Sequence, residues 1–158
     1  MPRSRKRKAA AGDVATNRQA SFRFHLLERY ECGIVLTGTE VKSLREGGAQ
    51  LKDSYALIRD GELWLIGCYI PPYAPANRAN HDPERDRKLL LHRAEIDRLI
   101  GKTRERGLTL VPTRVYFSGP HAKVEIALAR GKDRYDKRET IRRREVQREV
   151  ERELHGAR

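Results

Sequence analysis

The dipeptide Asp60-Gly61, set between the β-rich runs 54–59 and 62–66, constrains the fold more than any other feature of this chain. A type I′ turn needs positive φ at both central residues, and Asp-Gly between two strand-like runs is a strong signal for it. A tight antiparallel hairpin follows, and with it a sheet. Further runs join it. Phe22, Phe24 and Leu26 alternate with polar residues, the period of a half-buried strand, and after Gly33 the run Ile34-Val35-Leu36 continues as a more buried one. Lys88-Leu89-Leu90-Leu91 reads as a short buried strand. Residues 108–117 and 123–129 form a second hairpin across Ser118-Gly119-Pro120, with Val124, Ile126 and Leu128 alternating against Lys123, Glu125 and Ala127.

Two helices interrupt the strands. The first starts at Gly38-Thr39 with Thr39 as N-cap, carries Val41 and Leu44 on one face, and is stopped by Gly47 and Gly48. The second opens at His92-Arg93-Ala94-Glu95, a string like a capping box with His in the cap position. It places Ile96, Leu99 and Ile100 on one face and closes at Gly107. Residues 71–82 form a long Pro/Asn loop, a candidate binding loop. About six short strands with two or three short helices must hide their edges, and a small closed antiparallel barrel does so. The expectation is a mainly β, OB-like barrel over 19–130, although a sandwich or an open sheet fits the same pattern.

Both ends differ from this middle. The formal net charge is +12 in 158 residues, and three quarters of it lies in 1–20 and 130–158. Residues 1–18 are basic, Ala-rich and poor in large apolar side chains, so a disordered arm is expected there. Residues 131–158 form a basic tail. Written as a helix, the tail has parallel i,i+4 ladders: Arg144/Arg148/Arg152, Glu145/Glu149/Glu153 and Val146/Val150/Leu154. One thin apolar stripe makes such a helix marginal alone, so the tail is expected to be disordered when free and helical on a partner. The alternative is a solvated helix lying on the barrel.

A surplus of positive charge on this scale points to a polyanion, nucleic acid before acidic membrane. Arg23 between Phe22 and Phe24, Arg114 near Tyr116 and Arg134-Tyr135 set phosphate partners beside faces on which bases stack. The string Arg5-Lys6-Arg7-Lys8 also fits a nuclear-import patch. Cys32 and Cys68 lack metal-site spacing and sit among apolar neighbours, as buried thiols of a reducing cytosol do. No metal or cofactor is indicated. The longest apolar stretch, 63–70, is too short to span a bilayer, and the basic start is not followed by an apolar run. Catalytic signatures such as GxSxG, HExxH or a phosphate-binding glycine loop are missing. His25, His81, His92, His121 and His155 are scattered, and nothing in the sequence assembles Glu31, Glu40 and Asp53 into a carboxylate cluster. A binding protein is therefore expected, not an enzyme.

The string Gly38-Thr39-Glu40-Val41-Lys42-Ser43-Leu44-Arg45 resembles the GTEVKSLR signature of the SsrA-binding protein (SmpB) family. Co-linear matches run through Asn17-Arg18-Gln19-Ala20, Glu31-Cys32-Gly33-Ile34, Arg87-Lys88-Leu89-Leu90-Leu91-His92 and Thr109-Leu110-Val111-Pro112. They continue through Leu128-Ala129-Arg130-Gly131-Lys132 and Tyr135-Asp136-Lys137-Arg138. The resemblance implies an OB-like barrel that binds the tRNA-like half of transfer-messenger RNA in the cytoplasm. The complex enters stalled ribosomes together with elongation factor Tu, which acts through the RNA. It places RNA contacts at Asn17, Arg18, Glu31, Leu90, His92 and Lys123. It also assigns Gly131, Lys132, Tyr135, Asp136, Lys137 and Arg138 to the decoding centre. Asp133 stands where many relatives carry lysine, Val146 where some carry an aromatic, and Cys32 replaces a more usual alanine. Glu31 is an odd residue for an RNA face. Its carboxylate either accepts hydrogen bonds from base amino groups or holds a neighbouring arginine.

Overall fold

Asp60 and Gly61 take φ of 53° and 73°, so both occupy the left-handed region that the type I′ turn requires. They join β3 (Tyr55–Arg59) to β4 (Glu62–Ile66), paired from Tyr55↔Ile66 to Arg59↔Glu62. The computed structural model describes residues 12–105, 107–132 and 134–156. Its remaining strands are β1 (Asp13–Thr16), β2 (Phe24–Ile34), β5 (Arg87–Leu90), β6 (Leu108–Ser118) and β7 (His121–Gly131). The helices are α1 (Arg18–Arg23), α2 (Gly38–Arg45), α3 (Arg93–Thr103) and α4 (Arg134–Gly156), with a 3₁₀ turn at Ala74–Ala79.

The strands run β6-β3-β4-β5-β2-β7, and β7 pairs back onto β6, so the sheet closes on itself. Every pairing is antiparallel. The expected six-stranded barrel is there, and a seventh strand, β1, is added to its outside. β3 meets β6 at Ala56↔Leu110, and β1 takes the free edge further along, with Thr16 opposite Arg114 and Asp13 opposite Tyr116. Residues 13–16 were part of the arm expected to be disordered. They are ordered because an open strand edge accepts any short run whose backbone can pair. The rest of that arm, 1–11, lies outside the described residues.

A second correction concerns Phe22, which lies in α1 and not in a strand. Ala127 and Ala129 alternate with the core-facing residues of β7 and so point outward, where with Val111 they make an apolar patch on the barrel wall. α1 lays Ala20 on that patch, with Phe24 and Leu26 beside it. The barrel interior holds Cys32, Leu63, Leu65, Leu89, Leu110, Val124, Ile126 and Leu128. Burial pushes the Cys32 and Cys68 thiols up, to about 12 and about 11, as for unreactive packing groups.

A buried ion pair seals the end of the barrel near α2. Glu40, fully buried, bonds the fully buried Arg87, and Arg85 donates to it at 2.6 Å. Arg87 also donates to the carbonyls of Cys68 and Pro83, at 2.7 and 3.1 Å. Glu40 accepts the Thr37 backbone N–H at 2.9 Å, so α2 is capped from Thr37 rather than from Thr39. Thr39 instead lies 2.9 Å from His81 Nδ1, while His81 Nε2 donates to the Ile70 carbonyl at 2.9 Å. The Asn80 carboxamide donates to Tyr73 O and accepts from Tyr73 N, both at 2.8 Å. The long loop expected to bind a partner is thus fastened to its own domain.

In the tail, 134–156 is one helix of 23 residues. Its first half touches α1: the Arg144 guanidinium sits 5.7 Å from the centre of the Phe22 ring, and Lys132 Nζ donates to Thr140 at 3.0 Å. Ile141, Val146, Val150 and Leu154 remain exposed along it.

Candidate nucleic-acid interface

Strand register brings four distant residues into one row. Tyr116 on β6 stands opposite Lys123 on β7, Lys123 opposite Gly33 on β2, and Gly33 opposite Leu90 on β5. Their neighbours Val115, Val124, Cys32 and Leu89 are buried, so alternation turns the row to the outer face. Gly33 has no side chain, which leaves a trough between Lys123 and Leu90. A Cβ added there would lie 3.3 Å from Leu90 Cβ. Leu90 is 51% exposed, unusual for a leucine in a barrel wall, and offers an apolar surface on one bank. His92 follows at the N-cap of α3, as expected, but its ring makes no cap bond and stays exposed.

Glu31 lies two residues before Gly33 and shares its face. The carboxylate accepts a hydrogen bond from the Tyr116 hydroxyl, and Arg114 is engaged elsewhere. Burial, then this bond and the Glu31 charge, push the Tyr116 phenol up to about 12, so it stays a donor. The phenol occupies one oxygen of Glu31, leaving the other as an acceptor. Among the described residues Glu31 is held by a tyrosine rather than an arginine.

Glu125, opposite Glu31, belongs to a second group. Arg114 donates from Nε to Glu125 at 2.6 Å and from Nη1 to Asp13 at 3.0 Å, and stacks 4.2 Å from the centre of the Tyr116 ring. Burial raises the Glu125 carboxyl, but bonding and charge from Arg114 outweigh it and hold the group below the usual carboxylate range. These contacts fix the Tyr116 ring that positions Glu31. The other carboxylates are dispersed: Glu40 is buried on Arg87, and Asp53 pairs with Arg23 at 3.1 Å.

Asn17 and Arg18 sit apart from the row, where β1 turns into α1. The β6–β7 register shifts between Pro112 and Arg114, leaving Thr113 as a bulge residue. Asn17 clamps it, its side chain donating to Pro112 O at 2.9 Å and its backbone N–H to Thr113 O at 2.7 Å. Arg18 lines the adjoining cleft between α1 and α4.

The residues assigned to the tail lie at the other end of β7. Gly131 ends the strand opposite Phe24, the Lys132 N–H bonds Arg23 O at 2.9 Å, and Tyr135, Asp136, Lys137 and Arg138 fall at the start of α4. Gly131 lies eight positions after Lys123, roughly 26 Å of strand at about 3.3 Å per residue. Two sets of candidate residues therefore occupy opposite ends of one strand. Sequence reasoning passed over Gly33 and Glu125 as interface builders, and took Tyr116 as a stacking face beside Arg114 rather than as the partner of Glu31. The adjacent Glu31-Cys32-Gly33 string was visible, but the cross-strand partners were not.

The chain matches the family model described as SmpB protein over residues 14–156. It is 58% identical over 143 residues to the SsrA-binding protein of Sulfurihydrogenibium sp. (strain YO3AOP1), covering 90% of this chain and 94% of that one. It is 56% identical over 143 residues to the SsrA-binding protein of Carboxydothermus hydrogenoformans, covering 90% of this chain and 96% of that one. A solved chain described as "tmRNA-SmpB: a journey to the center of the bacterial ribosome" superposes with a TM-score of 0.66 at 50% identity. The match covers 82% of this chain and 94% of that chain.

Proposed function

This chain belongs to the SmpB family, and on that premise we propose how its two ends divide the work of an RNA adapter. It binds transfer-messenger RNA and acts with it on the ribosome in trans-translation. The barrel end grips the tRNA-like part of the RNA with Glu31, Leu90, His92 and Lys123. Lys123 meets a phosphate, Glu31 accepts from a base amino group, and Leu90 and His92 give an exposed base a surface to stack on. Arg18 adds a phosphate contact, and Asn17 acts by tying the start of α1, where Arg18 sits, to the β6 bulge. At the far end of β7, Gly131, Lys132, Tyr135, Asp136, Lys137 and Arg138 work at the decoding centre. The protein is cytoplasmic and contributes binding and delivery, with no bond made or broken by its own side chains. The observation that carries this reading is the row Tyr116–Lys123–Gly33–Leu90 at one end of β7 with the cationic junction at the other.

The test pairs RNA affinity by filter binding with tagging of a stalled nascent chain in a reconstituted system. Lys123→Ala lowers affinity for the tRNA-like RNA on the order of 10-fold, the size of one phosphate contact at 0.1 M salt, and leaves the melting temperature in place. Lys137→Ala/Arg138→Ala keeps RNA affinity within about a factor of three and abolishes tagging. Normal tagging by that double variant refutes the division of labour.

A further inference from the structure

We infer that Tyr116 is a positioning residue of the RNA site: its hydroxyl holds the Glu31 carboxylate toward a base and away from Lys123, which stays open to phosphate. The inference rests on the RNA-binding reading above and deepens it. It says how two opposite charges on one face avoid cancelling each other.

Register sets up the conflict. Glu31 stands opposite Glu125 on β7, and Gly33 opposite Lys123, so Glu31 and Lys123 are diagonal neighbours on adjacent strands. Diagonal neighbours lie about 7–8 Å apart, within reach of two long side chains. A glutamate and a lysine so placed can pair, and a paired lysine meets phosphate only after its carboxylate is displaced. Yet Lys123 has no ion pair among the described residues. The Glu31 carboxylate is taken instead by the Tyr116 hydroxyl, which reaches it from β6 across the width of β7.

The ring that carries this hydroxyl is itself seated. Arg114 stacks 4.2 Å from its centre and is fixed by Glu125 at 2.6 Å and by Asp13 at 3.0 Å. The Asp13 side chain is only 7% exposed, so water competes little for that bond. β1 is thereby tied to the RNA site: Asp13 fixes Arg114, Arg114 fixes the ring, and the ring fixes Glu31. A carboxylate accepts and cannot donate, so the base group it meets is an amino or imino N–H. Holding it in place beforehand spares the ordering of one long side chain when RNA binds, worth about two- to tenfold in affinity.

The test uses the full chain and filter binding to the tRNA-like RNA at 0.1 M salt, with urea unfolding of each variant alongside. Tyr116→Phe keeps the ring and removes the hydroxyl, and should weaken binding about two- to tenfold. Glu31→Ala should cost about fivefold or more in the parent, as for a lost base contact, but stay within about twofold in the Tyr116→Phe background. Lys123→Ala, which costs about tenfold in the parent, should cost no more than about threefold there, because the released carboxylate already occupies the lysine. Asp13→Asn loosens the seat from outside the row and should weaken binding about two- to threefold in the parent and not in Tyr116→Phe. A Tyr116→Phe protein that binds like the parent overturns the positioning role. So does one that loses its fold, or one in which Glu31→Ala costs as much as in the parent. A parent that fails to bind the tRNA-like RNA overturns the RNA-binding reading and this inference with it. A parent weakened by Lys123→Ala but not by Glu31→Ala overturns the positioning role alone.

Discussion

Replacing Glu40 by Gln removes one charge from the least accessible place in the molecule while keeping nearly the same shape. Glu40 and Arg87 are both 0% exposed, and their ion pair joins α2 to β5 and to the loop before it. Arg85, its side chain 36% exposed, can turn its guanidinium to solvent once the carboxylate is gone, but Arg87 cannot. Its remaining partners, the Cys68 and Pro83 carbonyls, carry no formal charge. An uncompensated buried charge of this kind costs about 3–5 kcal/mol. For a domain of this size that lowers the melting temperature by roughly 6–20 °C, at about 2–4 °C per kcal/mol. The assay is urea and thermal unfolding of Glu40→Gln at pH 7, followed by Glu40→Gln/Arg87→Met. The double variant removes the orphaned charge and should recover most of the loss, leaving about 1–3 kcal/mol for the Cys68 carbonyl stripped of its donor. A loss below about 1 kcal/mol for Glu40→Gln, or a double variant as unstable as the sum of the singles, refutes this account of the pair.

The same carboxylate sets an acid limit. Burial raises Glu40, but bonds from Arg85, the Thr37 N–H and Arg87 outweigh it and hold the group below its ordinary value of 4.5, as Glu125 is held by Arg114. A lowered folded value means that the unfolded chain binds more protons. The stabilisation is therefore complete above pH 4.5 and lost as pH falls below it, with a smaller loss in Glu40→Gln when urea midpoints are compared across pH 3–7. Gly33→Val fills the trough beside Leu90. It should cut affinity for the tRNA-like RNA by about tenfold in filter binding and, because its Cβ would lie 3.3 Å from Leu90 Cβ, lower stability in urea unfolding by about 1–3 kcal/mol. Asn17→Ala frees the β6 bulge and should cost about 1–2 kcal/mol in urea unfolding, with the affinity of the folded protein kept within about threefold.

Local features of the fold were legible because their causes are local. Asp-Gly dictates its turn, and the alternation of Val124, Ile126 and Leu128 dictates a one-sided strand. β1 was hidden because Asp13–Thr16 has one buried residue, Ala15, and adjoins a run of basic residues. α1 left a clue in the outward alanines of β7, too small to use for any purpose except to be covered. The Glu40–Arg87 pair joins residues 47 apart, and no period or motif announces it. Glu40 nevertheless sits inside the string that carried the family resemblance, so a signature residue there serves folding and not RNA contact. The candidate interface was legible in its individual residues only through that resemblance. Which of them share a face is a property of register across four strands, and a single sequence does not carry register.

β7 fixes more than a shape. Bonded to β2 and β6 along nearly its whole length, it cannot stretch or bend independently, so it acts as a ruler between the two working ends of the molecule. Insertions and deletions within it should then be far less tolerated than in the loop at 71–82. One extra residue would turn Lys123 inward relative to Gly131 and exchange wall for core. Two would restore the faces but move one working end against the other by about 7 Å, more than the width between neighbouring strands. The loops of this barrel can drift in length, but the interval from Lys123 to Gly131 cannot.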